Sequence, residues 1–119
     1  MKLFVTGASG FVGSHLVERL LRDYEVRAMI HYRSSPDLGN LQADCEIVKG
    51  DIRDERCVEA AVAGCDCVVH LAALVDVPYS SIAPRSYLET NLTGTIPVGL
   101  AQGGGDSPFT GLTKYQYRI

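Results

Sequence analysis

Polar and apolar positions along the chain follow two periods in alternation. Four short strand-like runs stand out: Leu3-Phe4-Val5, Val26-Arg27-Ala28-Met29-Ile30, Glu46-Ile47-Val48-Lys49 and Cys67-Val68-Val69-His70-Leu71. The fourth is apolar almost throughout, as expected of a strand covered on both faces. Between the first two, residues 11–22 put Val12, Leu16 and Leu20 at helical spacing, with Val17 and Leu21 beside them, on the face expected to pack against the sheet. That predicts a helix led by Ser9 or Gly10, with Ser14, His15, Glu18, Arg19 and Arg22 on its wetter side. Asp54 is a candidate cap for a helix running to about Ala63, with Val58, Ala61 and Val62 inward and Gly64 as its stop. Residues 37–42 have room for one or two helical turns. A last helical stretch is predicted from about Arg85 to Gln102, weakened by Gly94 and Gly99 and interrupted by Pro97. Strands alternating with helices predict an α/β fold: an open, doubly wound parallel sheet in the order 3-2-1-4 with right-handed crossovers. Gly103-Gly104-Gly105 ends the regular structure, and in the tail Tyr115, Tyr117 and Ile119 alternate with Lys114, Gln116 and Arg118 at strand period.

Composition narrows the function classes. The 119 residues are 46% apolar and 21% charged, which fits one globular domain. No apolar run approaches the roughly 20 residues that cross a bilayer, so no membrane span is expected. The first apolar run is too short for a signal-peptide core. The formal charge of −3 and a pI near 5.5 favour neither nucleic acid nor an anionic membrane as partner. A cytoplasmic chain is expected. The four cysteines, Cys45, Cys57, Cys65 and Cys67, do not form paired C-x-x-C spacings. They are expected to pack as small hydrophobes rather than to hold metal, and no metal site is expected.

Candidate chemistry begins at Thr6-Gly7-Ala8-Ser9-Gly10-Phe11-Val12-Gly13, where a strand passes into a helix. Glycine at Gly7 permits a tight turn, Gly10 lets the backbone approach a pyrophosphate, and Gly13 allows the helix to pack closely on the strand. The start of the helix then offers N–H groups and a partial positive charge to phosphate oxygens. A glycine turn with no ligand is the competing reading.

The spacing G-x-x-G-x-x-G, together with Gly50-Asp51-Ile52-Arg53-Asp54, Val68-Val69-His70-Leu71-Ala72-Ala73 and Asn91-Leu92-Thr93-Gly94-Thr95, resembles the extended short-chain dehydrogenase/reductase superfamily. Within it the sequence is most similar to the NAD-dependent epimerase/dehydratase branch and its dihydroflavonol-reductase-like members. The resemblance covers residues 1 to about 102 and implies a Rossmann-like domain, with 103–119 as a glycine-rich hinge and divergent tail. It further implies that Gly7, Ser9, Gly10, Phe11, Val12 and Gly13 meet the cofactor's pyrophosphate. Asp51 and Ile52 would meet its adenine, through a side chain and a backbone group. Leu71, Ala72 and Ala73 would form the wall beside its ribose and pyrophosphate. Asn91 matches a helix residue that holds a water or a backbone kink. Asp51 also suits a turn that bonds its own loop. His70 reads as a structural residue at a strand end, with proton donation as the alternative.

Cofactor choice rests on the end of the second strand. NAD-selective relatives place a carboxylate there to hold the ribose 2′-OH, yet Ile30, His31, Tyr32 and Arg33 include none. Arg33 with His31 would suit a 2′-phosphate, so NADP is expected over NAD; a solvent-facing arginine is the alternative. No catalytic residue is assigned. The resemblance implies a Tyr-x-x-x-Lys pair, but Tyr24, Tyr32, Tyr79, Tyr87 and Tyr115 are followed four residues later by Ala28, Pro36, Ala83, Asn91 and Ile119. The expectation is therefore a partial domain, truncated before the fifth strand and catalytically incomplete. A fragment of an active reductase or epimerase, one completed by a second subunit, and a non-catalytic NADP(H) sensor remain as alternatives. An apolar fourth strand without a further neighbour predicts a homodimer through that edge or through the tail.

Overall fold

The computed structural model describes residues 1–32, 44–72 and 81–90. Four parallel strands form one sheet: β1 (Lys2–Thr6), β2 (Glu25–Ile30), β3 (Glu46–Lys49) and β4 (Cys67–His70), in the order β3-β2-β1-β4. Helix α1 (Phe11–Leu20) connects β1 to β2, α2 (Glu55–Val62) connects β3 to β4, and a short α3 is Pro84–Leu88. The expected strand order is the observed one. Register sets Thr6 opposite both Met29 and His70, and Ile30 opposite Lys49, so the carboxyl ends of the strands share one rim.

The strand period of two divides the core between the faces of the sheet. On one face Phe4, Met29 and Val68 pack with Ile52 and with Val58 and Ala61 of α2. On the other, Val5, Val26, Ala28 and Ile30 pack with Ala8 and with Val17 of α1. Apolar cover on both faces explains why β4 reads as a near-continuous apolar run.

Helix α1 departs from expectation in its facing. Its buried residues are Gly13 and Val17, with Leu20 and Leu21 partly buried, whereas Val12 is 40% exposed and Phe11 81%. The glycine decides this. Only at Gly13 can the helix backbone lie directly on the preceding turn, so the packed stripe is centred there and Val12 rotates outward. Helix α2 follows its prediction: Asp54 is the cap and accepts from the Cys57 N–H at 3.2 Å, and Gly64 just past the end has φ of +78°. Arg27 of β2 fastens the far end of α2 by donating through Nη1 to the carbonyls of Ala61 and Ala63, at 2.6 and 2.7 Å. The helical turns expected at 37–42, the stretch beyond Thr90 with Asn91 and Pro97, the glycine hinge and the tail lie outside the described residues.

Candidate functional site

The site is built where β1 gives way to α1. Gly7 has φ of +69°, a left-handed conformation that costs any residue with a Cβ about 1–2 kcal/mol. A Cβ there would also sit 2.7 Å from Ala72 N and from Leu71 C, because the turn runs against the chain leaving β4. At Gly13 a Cβ would overlap the Gly7 carbonyl oxygen and come within 2.9 Å of Ala8 Cα. Gly10 differs: its Cβ would meet only the Gly7 carbonyl oxygen, at 3.3 Å, so a methyl is nearly accommodated by the protein itself. Gly10 is also the cap residue of α1 and, having no side chain, makes no cap bond of its own. The first-turn N–H groups of a helix have no intrahelical acceptor, so this end offers donors to an anion.

Thr6, fully buried at the end of β1, ties the turn to β4. Its Oγ1 accepts from the Leu71 and Ala72 N–H groups at 3.1 and 3.2 Å and lies 2.6 Å from His70 Nδ1. The Leu71 N–H is shared with the Thr6 carbonyl oxygen at 3.2 Å, and the Thr6 hydroxyl and His70 Nδ1 share one hydrogen bond whose direction follows the ring tautomer. Burial pushes the His70 pKa below its ordinary value, in keeping with a neutral imidazole. His70 is thus part of the scaffold holding Leu71-Ala72 beside the glycine turn. Its structural reading is the one the geometry favours.

A second polar group lies beyond the end of β3. Asp51 Oδ1 accepts from the Arg53 backbone N–H at 2.9 Å and from Arg53 Nε at 3.0 Å, while Oδ2 receives Nη2 at 2.6 Å. Bonding to that guanidinium holds the Asp51 carboxyl down at about 2. His31 Nε2 stands 3.6 Å from Oδ2 and its ring lies against that of Tyr32, tilted by 31° with centroids 4.2 Å apart. Gly50 permits the approach of the loop, since a Cβ there would overlap Cys57 Sγ and lie 2.8 Å from Met29 Cε.

The glycine turn, Leu71-Ala72 and the Asp51 loop line one cleft of about 550 Å³ across the carboxyl ends of the strands. Its walls bring together Gly7, Ser9, Gly10, His31, Asp51, Ile52, Leu71 and Ala72 of the residues expected from sequence. Phe11, Val12 and Gly13 stand at the start of α1, behind the glycine turn rather than in the wall. Arg33 and Ala73 lie outside the described residues. The cleft also takes in Met29, Ile30, Tyr32, Gly50, Arg53, Ser86 and Thr90, which sequence reasoning did not assign to the site. Ser86 and Thr90 come from the α3 region, and no local motif marks them. For Thr6 a signal existed: a hydroxyl closing an apolar strand immediately before the glycine turn. Among the described residues no group of three or more His, Cys, Asp or Glu could hold a metal. The four cysteines are free and partly buried, and burial raises the thiols of Cys45, Cys57 and Cys65. Nor is any described helix long and apolar enough to cross a membrane.

Comparison with known proteins gives a consistent result. The model of the NAD dependent epimerase/dehydratase family matches residues 3–100. A dTDP-glucose 4,6-dehydratase of Streptomyces antibioticus is 37% identical over 120 residues, covering 92% of this chain and 36% of that protein. A dihydroflavonol 4-reductase of Dianthus caryophyllus is 41% identical over 80 residues, 60% of this chain and 22% of the relative. Among solved structures, the UDP-glucose 4-epimerase of Bifidobacterium longum in complex with NAD+ and UDP superposes with a TM-score of 0.74 at 30% identity, over 87% of this chain and 33% of that one. The UDP-glucose 4-epimerase of Thermotoga maritima superposes at 0.77 and 27% identity, over 86% and 34%. The chain spans about a third of the length of the dehydratases it matches, 31–36%.

Proposed function

This chain belongs to the NAD dependent epimerase/dehydratase family, and on that footing we propose that its cleft binds a nicotinamide dinucleotide. The single observation that carries this reading is the Gly7–Gly13 turn. It is a turn that packs on the backbone leaving β4 at Gly7 and against the start of α1 at Gly13, with Gly7, Ser9 and Gly10 facing the cleft, set at the rim between β1 and β4 where the strand order reverses. Open α/β sheets bind ligands at such a switch point. The residues present fit the group. Gly7, Ser9 and Gly10 would face its pyrophosphate, Leu71 and Ala72 the adjoining ribose, and Asp51 with Ile52 the adenine. When bound, the nicotinamide would supply hydride transfer. The chain's own part is to hold the phosphates, orient the rings and keep the strand ends fixed through Thr6 and His70.

We propose NADP as the favoured form. Ile30, His31 and Tyr32 close β2 with no carboxylate to hold a 2′-hydroxyl, and His31 and Arg33 supply basic groups for a 2′-phosphate. The activity of the whole protein is read as that of a sugar-nucleotide epimerase or dehydratase, or of a dihydroflavonol-type reductase. These 119 residues alone are proposed to bind without turnover, because no tyrosine has a lysine four positions on to lower its pKa. A cytoplasmic location and a homodimer through the β4 edge or the tail belong to the same reading.

Calorimetric titration with NAD+, NADH, NADP+ and NADPH tests it. Binding is expected with NADP(H) the tighter, and Gly10→Val should abolish it while leaving the fold in place. Affinity unchanged in that variant would remove the site from the cleft. Sustained hydride transfer or epimerisation by the 119-residue chain would overturn the non-catalytic part. Sedimentation before and after deletion of residues 106–119 tests the dimer, which a monomer at high micromolar concentration would exclude.

A further inference from the structure

We propose that Arg53 is a positioning residue: it aims the Asp51 carboxylate so that the cleft distinguishes an adenine from a hypoxanthine base. The inference rests on the proposed reading of the cleft as a dinucleotide site with its adenine at Asp51. Its footing is geometric. Arg53 grips both oxygens of Asp51, through Nε at 3.0 Å to Oδ1 and 3.1 Å to Oδ2 and through Nη2 at 2.6 Å to Oδ2. The backbone N–H of Arg53 adds a third donor group at 2.9 Å to Oδ1. A planar fork meeting a carboxylate in this way fixes its plane as well as its place. The guanidinium is itself held on its far side, where Nη1 stands 3.6 Å from Glu89 Oε2. Arg53 lines the cleft with Asp51 and reaches across to the segment that carries Ser86 and Thr90.

A carboxylate offers about four acceptor positions, and Arg53 takes up most of them. Because the Nε–H is shared between the two oxygens, one acceptor position remains on Oδ2, flanked by His31 Nε2 at 3.6 Å, on a group only 18% exposed and gripped by the fork. Such an acceptor suits the exocyclic amino group of adenine. Hypoxanthine differs by carrying a carbonyl oxygen at that position, which sets acceptor against acceptor. A carboxylate free to rotate would turn away from the oxygen and lose most of its discrimination. One fixed by Arg53 cannot.

The test compares NAD+ with nicotinamide hypoxanthine dinucleotide by calorimetric titration of the same chain. The parent is expected to bind NAD+ at least about tenfold more tightly, the usual scale for a hydrogen bond to a charged group. In Arg53→Met the ratio should fall to within about threefold, with the loss on the adenine side. Arg53→Lys, which keeps a charge but not the fork, should recover part of it and serves also if the methionine variant does not fold. A purely structural role would weaken both dinucleotides alike and leave the ratio where it was. If the ratio survives in the variants, this inference is wrong while the dinucleotide reading stands; if the parent binds both equally, the placing of the adenine at Asp51 falls with it and dinucleotide binding alone stands. If the parent binds neither, both fall.

Discussion

Gly13→Ala gives the sharpest test of how the glycine turn is built, because two effects of known size oppose each other. In a helix interior alanine is favoured over glycine by about 1 kcal/mol. If Gly13 were an ordinary helical residue, the substitution would stabilise the protein. In the structure, however, the new methyl would overlap the Gly7 carbonyl oxygen and approach Ala8 Cα to 2.9 Å. Both obstacles are backbone, and Gly7 is itself pinned against Leu71 and Ala72. Relief therefore requires α1 to lift from the sheet, loosening Val17 from Val5 and Ala28. Overpacking of this kind costs about 1–3 kcal/mol and more where backbone must move. A value at the upper end, less the helical gain, leaves a net loss of about 2 kcal/mol. For 119 residues the unfolding entropy near the midpoint is about 0.25 kcal/mol/K, so Tm should drop by about 8 °C. Thermal unfolding followed by circular dichroism reads this directly, with Gly10→Ala as the comparison. That methyl meets one atom at 3.3 Å, so its Tm should stay within a few degrees of the parent while dinucleotide affinity falls. A Gly13→Ala protein as stable as its parent, or more so, would refute the account of the turn.

Thr6→Val keeps the shape but removes the hydroxyl shared by Leu71, Ala72 and His70, and should cost about 2 kcal/mol in urea unfolding; Thr6→Ser should recover most of it. The depressed pKa of His70 means that the unfolded chain binds the proton first. Stability should therefore be complete above about pH 6.5 and decline as the pH falls below it, a slope that His70→Asn should reduce. Asp51 works in the same sense at lower pH, its contribution being lost between about pH 4 and 2. Carbon-13 NMR titration should find its carboxyl near 2 in the parent and raised towards the ordinary aspartate value in Arg53→Met. Asp54→Ala removes the cap of α2 and should cost about 1 kcal/mol in the same unfolding assay, whereas an unchanged midpoint would deny the cap its role.

What the sequence determined by itself was whatever depends on local period and local chemistry. The four strands follow from apolar runs of strand length, α2 from Asp54 and Gly64 at its ends, and the tight turn after β1 from three glycines placed between strand and helix. The order 3-2-1-4 was legible because alternating strands and helices leave few ways to build a parallel sheet. Tertiary structure alone decided the facing of α1, where a contact between Gly13 and the Gly7 carbonyl overrode the apolar spacing that had counted Val12 as inward. It alone revealed Thr6 as the clamp on β4, since its partners lie 64 to 66 residues away in the chain. The same holds for the cleft's far wall. Arg53 sits two residues from Asp51 in sequence, but its reach to Glu89 and the approach of Ser86 and Thr90 depend on how the chain returns to the sheet's carboxyl rim. Periodicity records which face of an element is apolar; it carries no information on which distant backbone atom that face will meet.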